Sequence, residues 1–312
     1  MRNKEKSFVS AVIYVHNAEI GIESFLTTII NVMQENFEKS EIICVNDASD
    51  DESLDKIKQT STIAVSTSIS VVNMSYFHGL EVAMNAGVDL AIGDFIFEFD
   101  NTNLDFGKED VLKIYSRFLE GFDIVSASPG RKEKLTSRLF YQVFDKFSDI
   151  SFKMNTESFR ILSRRVINRI SSMNKTVFYR KAVYANCGLK TDNIKYVVKG
   201  RKNTLSDKKE KGYRFRLAVD SMLLFTEIGY RFSMYMTVLM MLISIFMVIY
   251  SVTIYATAHP VEGWTTTILF LSISFFGLFG VLTVVIKYLQ LLVNLVFKRK
   301  HYSFESIEKL TR

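Results

Sequence analysis

The sequence predicts a parallel α/β domain followed by a two-helix membrane hairpin. Three observations predict it: short β-branched runs alternate with helical segments in the N-terminal third, polar and acidic clusters sit where those strands end, and two long uncharged apolar runs lie near the C terminus. The 312 residues are 48% hydrophobic and 23% charged, with a formal net charge of +6, two prolines and two cysteines. Disordered or collagen-like chains need more Pro, Gly or net charge, and disulfide scaffolds need more Cys, so the composition leaves a folded protein of about two domains.

The elements follow in order. Phe8 to Tyr14 is a short β-branched, apolar run, Ile20 to Met33 has helical spacing, and Glu41 to Val45 is apolar again. Ser53 to Lys58 reads as a helix, Ser66 to Val72 as a third strand, Leu80 to Ala91 as a helix and Asp94 to Phe99 as a fourth strand. Strand and helix alternating at this spacing argue a parallel sheet with ligands at the carboxyl ends of its strands. Gly87 reads as a helix C-cap and Asp94 as a turn residue. Cys44 and Cys187 have no metal-ligand spacing and are expected as reduced core thiols.

Phe232 to Val261 contains no Asp, Glu, Lys or Arg, and neither does Gly263 to Ile286. A bilayer core takes about 20 apolar helical residues, so each run is long enough to span once. Between them, Ala258 to Trp264 carries turn formers and an interfacial Trp, and the pair reads as a helical hairpin spanning about 232–257 and 265–288. Arg231 flanks the first span and Lys298, Arg299 and Lys300 follow the second, whereas the hairpin loop carries only Glu262. The positive-inside tendency then sets both termini and the long N-terminal segment in the cytoplasm of a multi-pass membrane protein. The start, Met1 to Lys6, does not read as a signal peptide. The domains expected are 1–194, a basic loop and amphipathic interfacial helix at 195–230, the hairpin at 231–298 and a tail at 299–312.

Three clusters mark the strand ends: Val15-His16-Asn17-Ala18-Glu19, Asn46-Asp47-Ala48-Ser49-Asp50-Asp51 and Asp100-Asn101-Thr102-Asn103-Leu104-Asp105. Any one is ordinary loop chemistry, but three at the same edge of a sheet make one site able to hold a nucleotide and a divalent cation.

The runs VIYVHNAE (12–19), IICVNDASDDES (42–53) and FHGLEVAMNAGVDLAIGDFIFEFD (77–100), followed by SRLFYQVFDKFSD (137–149), ESFRILSRRVINRI (157–170) and a hairpin ending, resemble the polyprenyl-phosphate glycosyltransferases of glycosyltransferase family 2. These include dolichyl-phosphate mannosyltransferases and bactoprenol glucosyltransferases. The resemblance implies a GT-A type nucleotide-sugar-binding domain. It places Asn17, Glu19, Asp47, Ser49 and Gly79 around the donor, with Asp47 as the base contact. The family's Asp-x-Asp, Leu-Gln-Asp motif falls on Asp100 to Asp105, so Asp100 and Asp105 become the catalytic acids and Asp100 the ligand of Mg²⁺ or Mn²⁺. Thr102 stands where the second carboxylate is usual, and Phe106-Gly107 replaces the usual Pro-Pro. One carboxylate with diphosphate oxygens and water can hold Mg²⁺, so the resemblance still implies a metal.

The implied reaction is an inverting transfer of a hexose, most readily glucose from UDP-glucose, to undecaprenyl phosphate. Arg131, Lys132, Ser137, Arg138 and Arg160 match the acceptor-phosphate region, and Arg201, in the basic run from Lys195 to Lys211, is a diphosphate or lid contact in the same resemblance. That run also suits anionic headgroups, and Tyr213 to Ile228 suits an interfacial helix. With a membrane anchor beside it, nucleic acid is the poorer partner. The resemblance further implies a membrane homo-oligomer, such as a tetramer, and a flippase partner. Two alternatives stay open: a non-catalytic membrane partner, suggested by Thr102, and a transferase with another lipid acceptor.

Overall fold

The computed structural model describes residues 4–131, 135–147, 156–172, 179–185, 187–199, 208–225 and 304–309, with separate helical positions between 232 and 292. The predicted alternation is present as β1 (Glu5–Val15), α1 (Ile22–Asn36), β2 (Phe37–Asn46), α2 (Ser53–Ser61), β3 (Thr67–Met74), α3 (Leu80–Leu90) and β4 (Phe95–Phe99). β2 starts earlier than the apolar pattern suggested because Phe37, buried against the edge of the Tyr115 ring at 5.1 Å, anchors a polar first turn of strand. Beyond β4 come α4 (Lys108–Leu119), β5 (Ile124–Pro129), α5 (Leu135–Phe147), β6 (Phe159–Ser163), α6 (Arg164–Ser172), α7 (Arg180–Ala185), β7 (Thr191–Tyr196), α8 (Lys208–Phe225) and β8 (Phe304–Lys309).

The eight strands form one sheet in the order β7-β5-β6-β4-β1-β2-β3-β8. The central strands β3, β2, β1 and β4 are mutually parallel, whereas β6 and β8 pair antiparallel to their neighbours. Strand alternation sorts the core into two layers. Val9, Ala11, Ile13 and Val15 of β1 pack with Ile42 and Cys44 of β2 against α1, α2 and α4, while Val12, Tyr14, Ile43 and Val45 face α3 and Ile167 of α6. Both cysteines are buried and unpaired, and burial pushes the Cys44 thiol up to about 12.

Gly87 is not a C-cap. The helix runs on to Leu90, and a Cβ at Gly87 would lie 2.4 Å from Val12 Cγ1 and 2.6 Å from Val45 Cγ2. Its missing side chain lets α3 lie close against Val12 of β1 and Val45 of β2. Asp94 holds the entry to β4, its backbone N–H donating to Phe8 O and its carboxylate accepting from Phe8 N–H.

The chain divides into two units, one formed by Met1–Asp145, Ile150–Leu217 and Arg299–Arg312, the other by Lys146–Asp149 and Ala218–Lys298. The tail expected at 299–312 is therefore partly structural: β8 closes the β3 edge of the sheet, with an ion pair between Glu308 and Lys58 at 3.1 Å. An unpaired β3 edge would leave a row of backbone donors and acceptors open, which explains why the tail is ordered as strand.

In the second unit the described positions are helical. Phe232, Tyr235, Leu239, Leu242 and Phe246 are exposed at three- and four-residue spacing, as are Leu278, Leu282, Val285, Leu289 and Leu292. The spans expected at about 232–257 and 265–288 lie largely outside the described residues. Among the described residues no helix is long and apolar enough to cross a membrane.

Replacing Gly87 by Ala forces a methyl into two stiff β-branched side chains. Overpacking of this kind costs about 1–3 kcal/mol, against a helix-propensity gain of about 1 kcal/mol. Thermal denaturation of Gly87→Ala is expected to show a lowered Tm, whereas Gly121→Ala, with open space around its Cβ but a φ of +97°, loses stability through backbone strain alone.

Candidate active site

The strand order reverses at β1, whose neighbours are β2 on one side and β4 on the other. Ligands of open α/β sheets bind at such a switch point, outside the carboxyl ends of the strands. The register brings those ends level, Val15 opposite Asn46, Asn46 opposite Asn73 and Ile13 opposite Phe99. The loops after β1 and β2 and the acidic turn after β4 therefore surround one crevice.

On the β1–β2 side the loops are tied together by their own polar groups. Asn17, at a φ of 46°, donates its backbone N–H to Ser49 Oγ at 3.1 Å and accepts at Oδ1 from the Asp50 N–H at 2.9 Å. Glu19 accepts from the Glu52 N–H at 3.4 Å, and its own N–H donates to Asp51 at 3.0 Å. Asn17, Glu19 and Ser49 are thus gathered at one edge. Asp47 is fully buried: its carboxylate accepts from the His78 N–H at 2.8 Å, the Gly79 N–H at 2.8 Å and the Tyr14 hydroxyl at 3.1 Å. Burial pushes its carboxyl up, and these hydrogen bonds only partly pull it back. In this arrangement Asp47 pins the loop before α3 from below.

Gly79 has a φ of 85°, and a Cβ there would lie 2.3 Å from the Tyr213 ring. Tyr213, on α8, also stands edge-on to Phe77 at 5.9 Å, and its hydroxyl accepts from the Glu81 N–H at 3.4 Å. The start of α8 is thereby docked on the loop before α3. The amphipathic face expected of this helix is not segregated, because fixing Tyr213 inward leaves Phe215 out, 72% exposed between Arg214 and Arg216.

Beneath the crevice lies a buried ion cluster. Asp100 Oδ2 accepts from Arg160 Nη2 at 2.6 Å and Oδ1 from Arg180 Nη2 at 2.8 Å. Arg160 also pairs with Glu98 at 2.9 Å and Glu157 at 3.3 Å, while Arg180 pairs with Glu81 at 2.9 Å and Glu98 at 3.1 Å. Tyr184 donates to Glu98 at 2.8 Å. Both guanidiniums are 1% exposed. Burial by itself would raise the Asp100 carboxyl, but Arg160, Arg180 and Lys181 outweigh it and hold it below the usual carboxylate range. Lys181 Nζ lies 4.0 Å from Asp100 Oδ2 with its side chain 14% exposed.

Arg160, expected at the acceptor phosphate, is instead sealed under Asp100, because β6 pairs antiparallel to β4 and sets Arg160 opposite Glu98. Glu81, Glu98, Arg180, Lys181 and Tyr184 escaped the sequence reading. One signal was present: Glu98 and Arg160 are lone charges inside the apolar strands FIFEF and FRILS.

Asp105 is buried apart from this cluster. Its Oδ1 accepts from the Tyr196 hydroxyl at 2.7 Å, and Arg131 Nη2 lies 3.5 Å from Oδ2 with its side chain 40% exposed. Ser158 Oγ stands 2.7 Å from the same Tyr196 hydroxyl. Ser137 and Arg138 lie on the first turns of α5, Arg138 exposed. Lys132 and Arg201 lie outside the described residues.

The donor set does not fit the expected divalent ion as arranged. Each Asp100 oxygen already holds a guanidinium, Thr102 adds no charge, and Asp105 faces Tyr196 and Arg131. Among the described residues no three His, Cys, Asp or Glu side chains form a metal-binding group. At an effective dielectric of about 20, a divalent ion roughly 4 Å from a guanidinium is repelled by about 8 kcal/mol, and Arg160 and Arg180 each hold one oxygen of Asp100.

The architecture is that of a GT-A type domain. It aligns with the structure of a mannosyltransferase from Pyrobaculum calidifontis in complex with GDP-Man and Mn²⁺, at a TM-score of 0.51 and 14% identity over 70% of this chain and 63% of that one. Residues 10–178 match the glycosyl transferase family 2, and the chain belongs to that family. An uncharacterized glycosyltransferase of Synechocystis is 29% identical over 58% of each chain. A prophage bactoprenol glucosyl transferase homolog of Escherichia coli is 30% identical over 61% of this chain and 63% of its own length. The matched region is thus under two thirds of either relative.

Removing one member of the buried cluster strands its partners. Arg180→Met is expected to cost about 3–5 kcal/mol in a denaturant titration. Because the folded Asp100 carboxyl is depressed, its stabilisation is complete above about pH 4 and is lost as pH falls through its lower folded value. Asp100→Asn should flatten that acid limb in a Tm-against-pH series while lowering Tm at pH 7.

Proposed function

We propose that this chain is an inverting membrane glycosyltransferase that moves a hexose, glucose from UDP-glucose by preference, from a nucleotide-diphosphate sugar to polyprenyl phosphate. The observation that carries the reading is the topology: in a family 2 domain, the Asn17, Glu19 and Ser49 loops and the turn from Asp100 to Asp105 follow β1, β2 and β4, the strands at the switch point of the sheet. The acceptor class rests on the bactoprenol glucosyl transferases among the relatives.

In this mechanism an oxygen of the acceptor phosphate bonds to the anomeric carbon from the face opposite the diphosphate. The anomeric C–O bond breaks, its electron pair leaves with the nucleoside diphosphate, and the configuration inverts. A phosphate monoester has a second pKa of about 6, so the nucleophile is already an anion near neutral pH and needs no general base. The protein's tasks are alignment and charge compensation. Arg131, Ser137 and Arg138 border the acceptor side, and the Tyr196 to Asp105 hydrogen bond fixes Asp105 between the two halves.

Membrane attachment through a hairpin at 231–298 is part of the proposal. The sheet unit holds both Leu217 and Arg299, and two spans between them would return the chain to the side it left. Exposed apolar stripes in the described helical positions support lipid contact, and Phe215 with Arg214 and Arg216 suits the headgroup layer. Both termini then face the cytoplasm.

The test is a screen of radiolabelled UDP- and GDP-sugars with undecaprenyl phosphate and the full-length protein in nanodiscs. One donor should yield a lipid-extractable sugar phosphate, with Asp105→Asn and Arg131→Ala each reducing turnover by about 10²-fold. Thr102 and the occupied Asp100 favour a second reading, a family member that binds without transferring. Nucleotide binding without product from any donor would select it.

A further inference from the structure

The two acids retained from the metal motif share one arrangement: each has a partly exposed cation beside it. Lys181 Nζ is 4.0 Å from Asp100 and Arg131 Nη2 is 3.5 Å from Asp105, and both side chains reach solvent. The two arginines that hold Asp100 from beneath do not, being 1% exposed and matched by Glu81, Glu98 and Glu157. Of the three cations around Asp100, Lys181 has the loosest ion pair to it and the greatest exposure.

Resting on the transferase reading above, we propose that this chain releases the nucleoside diphosphate without a divalent cation, Lys181 supplying the compensating charge at the position where a metal would bridge Asp100 and the diphosphate. Three features converge on this. Thr102 removes the second carboxylate, so the turn after β4 offers a metal one ligand fewer than the motif the resemblance expects. Arg160 and Arg180 occupy both oxygens of the remaining one. Lys181 follows Arg180 directly, so the buried Arg180 contacts that fix α7 also fix where the ammonium emerges. An ammonium carries half the charge of Mg²⁺ but is permanently tethered, and a lysine is a common phosphate-binding point charge.

The leaving step balances without further reactants. The breaking anomeric C–O bond gives its electron pair to the terminal diphosphate oxygen, the added negative charge falls beside the Lys181 ammonium, and no proton is transferred.

The experiment is calorimetric titration of the full-length protein with UDP, GDP and uridine, in EDTA and in Mn²⁺. One nucleoside diphosphate should bind with a Kd that changes less than about threefold between EDTA and Mn²⁺. Lys181→Gln should weaken that nucleotide by about 10- to 100-fold, leave uridine binding unchanged, and be rescued by Lys181→Arg. Loss of binding on the order of 100-fold in EDTA would overturn the proposal, and so would equal weakening of uridine and UDP by Lys181→Gln. If neither nucleotide binds in either buffer, the transferase reading itself fails and the proposal with it. Because the EDTA comparison uses the unmodified protein, a poorly folding variant does not spare the proposal.

Discussion

Two arginines closed against Glu98 and Asp100 decide how the carboxyl ends of the central strands are held. Arg160 comes from β6, Arg180 from α7, Glu81 from α3, and Glu98 and Asp100 from and just after β4, so one set of charge-assisted hydrogen bonds joins four elements that no local sequence signal links. Such a network is weak evidence of net stability, since taking several charges out of water is expensive. Its value is geometric. Any shift of β6 or α7 would leave a buried charge unpaired, so the floor of the crevice has one arrangement.

The other half of the crevice is organised by backbone rather than charge pairs. Asp47 turns inward to accept the N–H groups ahead of α3, Gly79 leaves room for the Tyr213 ring, and the Asn17 and Asp50 loops close on each other. A residue read from sequence as a nucleobase contact thus has a demanding structural task of its own. Tyr213 connects the start of α8 to this loop through Phe77 and the Glu81 N–H.

The first four strands and three helices were legible because their burial follows period 2 and period 3.6, which sequence displays directly. The polar clusters at their ends were legible for the same reason, since a parallel register brings every carboxyl end to one edge. What lies beyond β4 was not: β6 and β8 enter antiparallel, and nothing local in FRILS or in FESIEK names the partner strand. Gly87 was misread because a glycine near a helix end and a glycine against a sheet look alike until the sheet is placed. Arg160 was assigned to a phosphate because an arginine in a family-like segment invites that reading. Only the pairing of Arg160 with Glu98 across two strands, 62 residues apart, reveals the buried role.

If guanidinium and ammonium groups hold the ground at Asp100 in place of a metal ion, an anomalous-scattering structure of the full chain, with the nucleoside diphosphate and Mn²⁺ in the crystal, shows it directly. The expected result is no manganese peak at Asp100, with Arg160 and Arg180 still on its two oxygens and Lys181 against the diphosphate. A manganese peak bridging Asp100 and the diphosphate, with either arginine displaced, would contradict it.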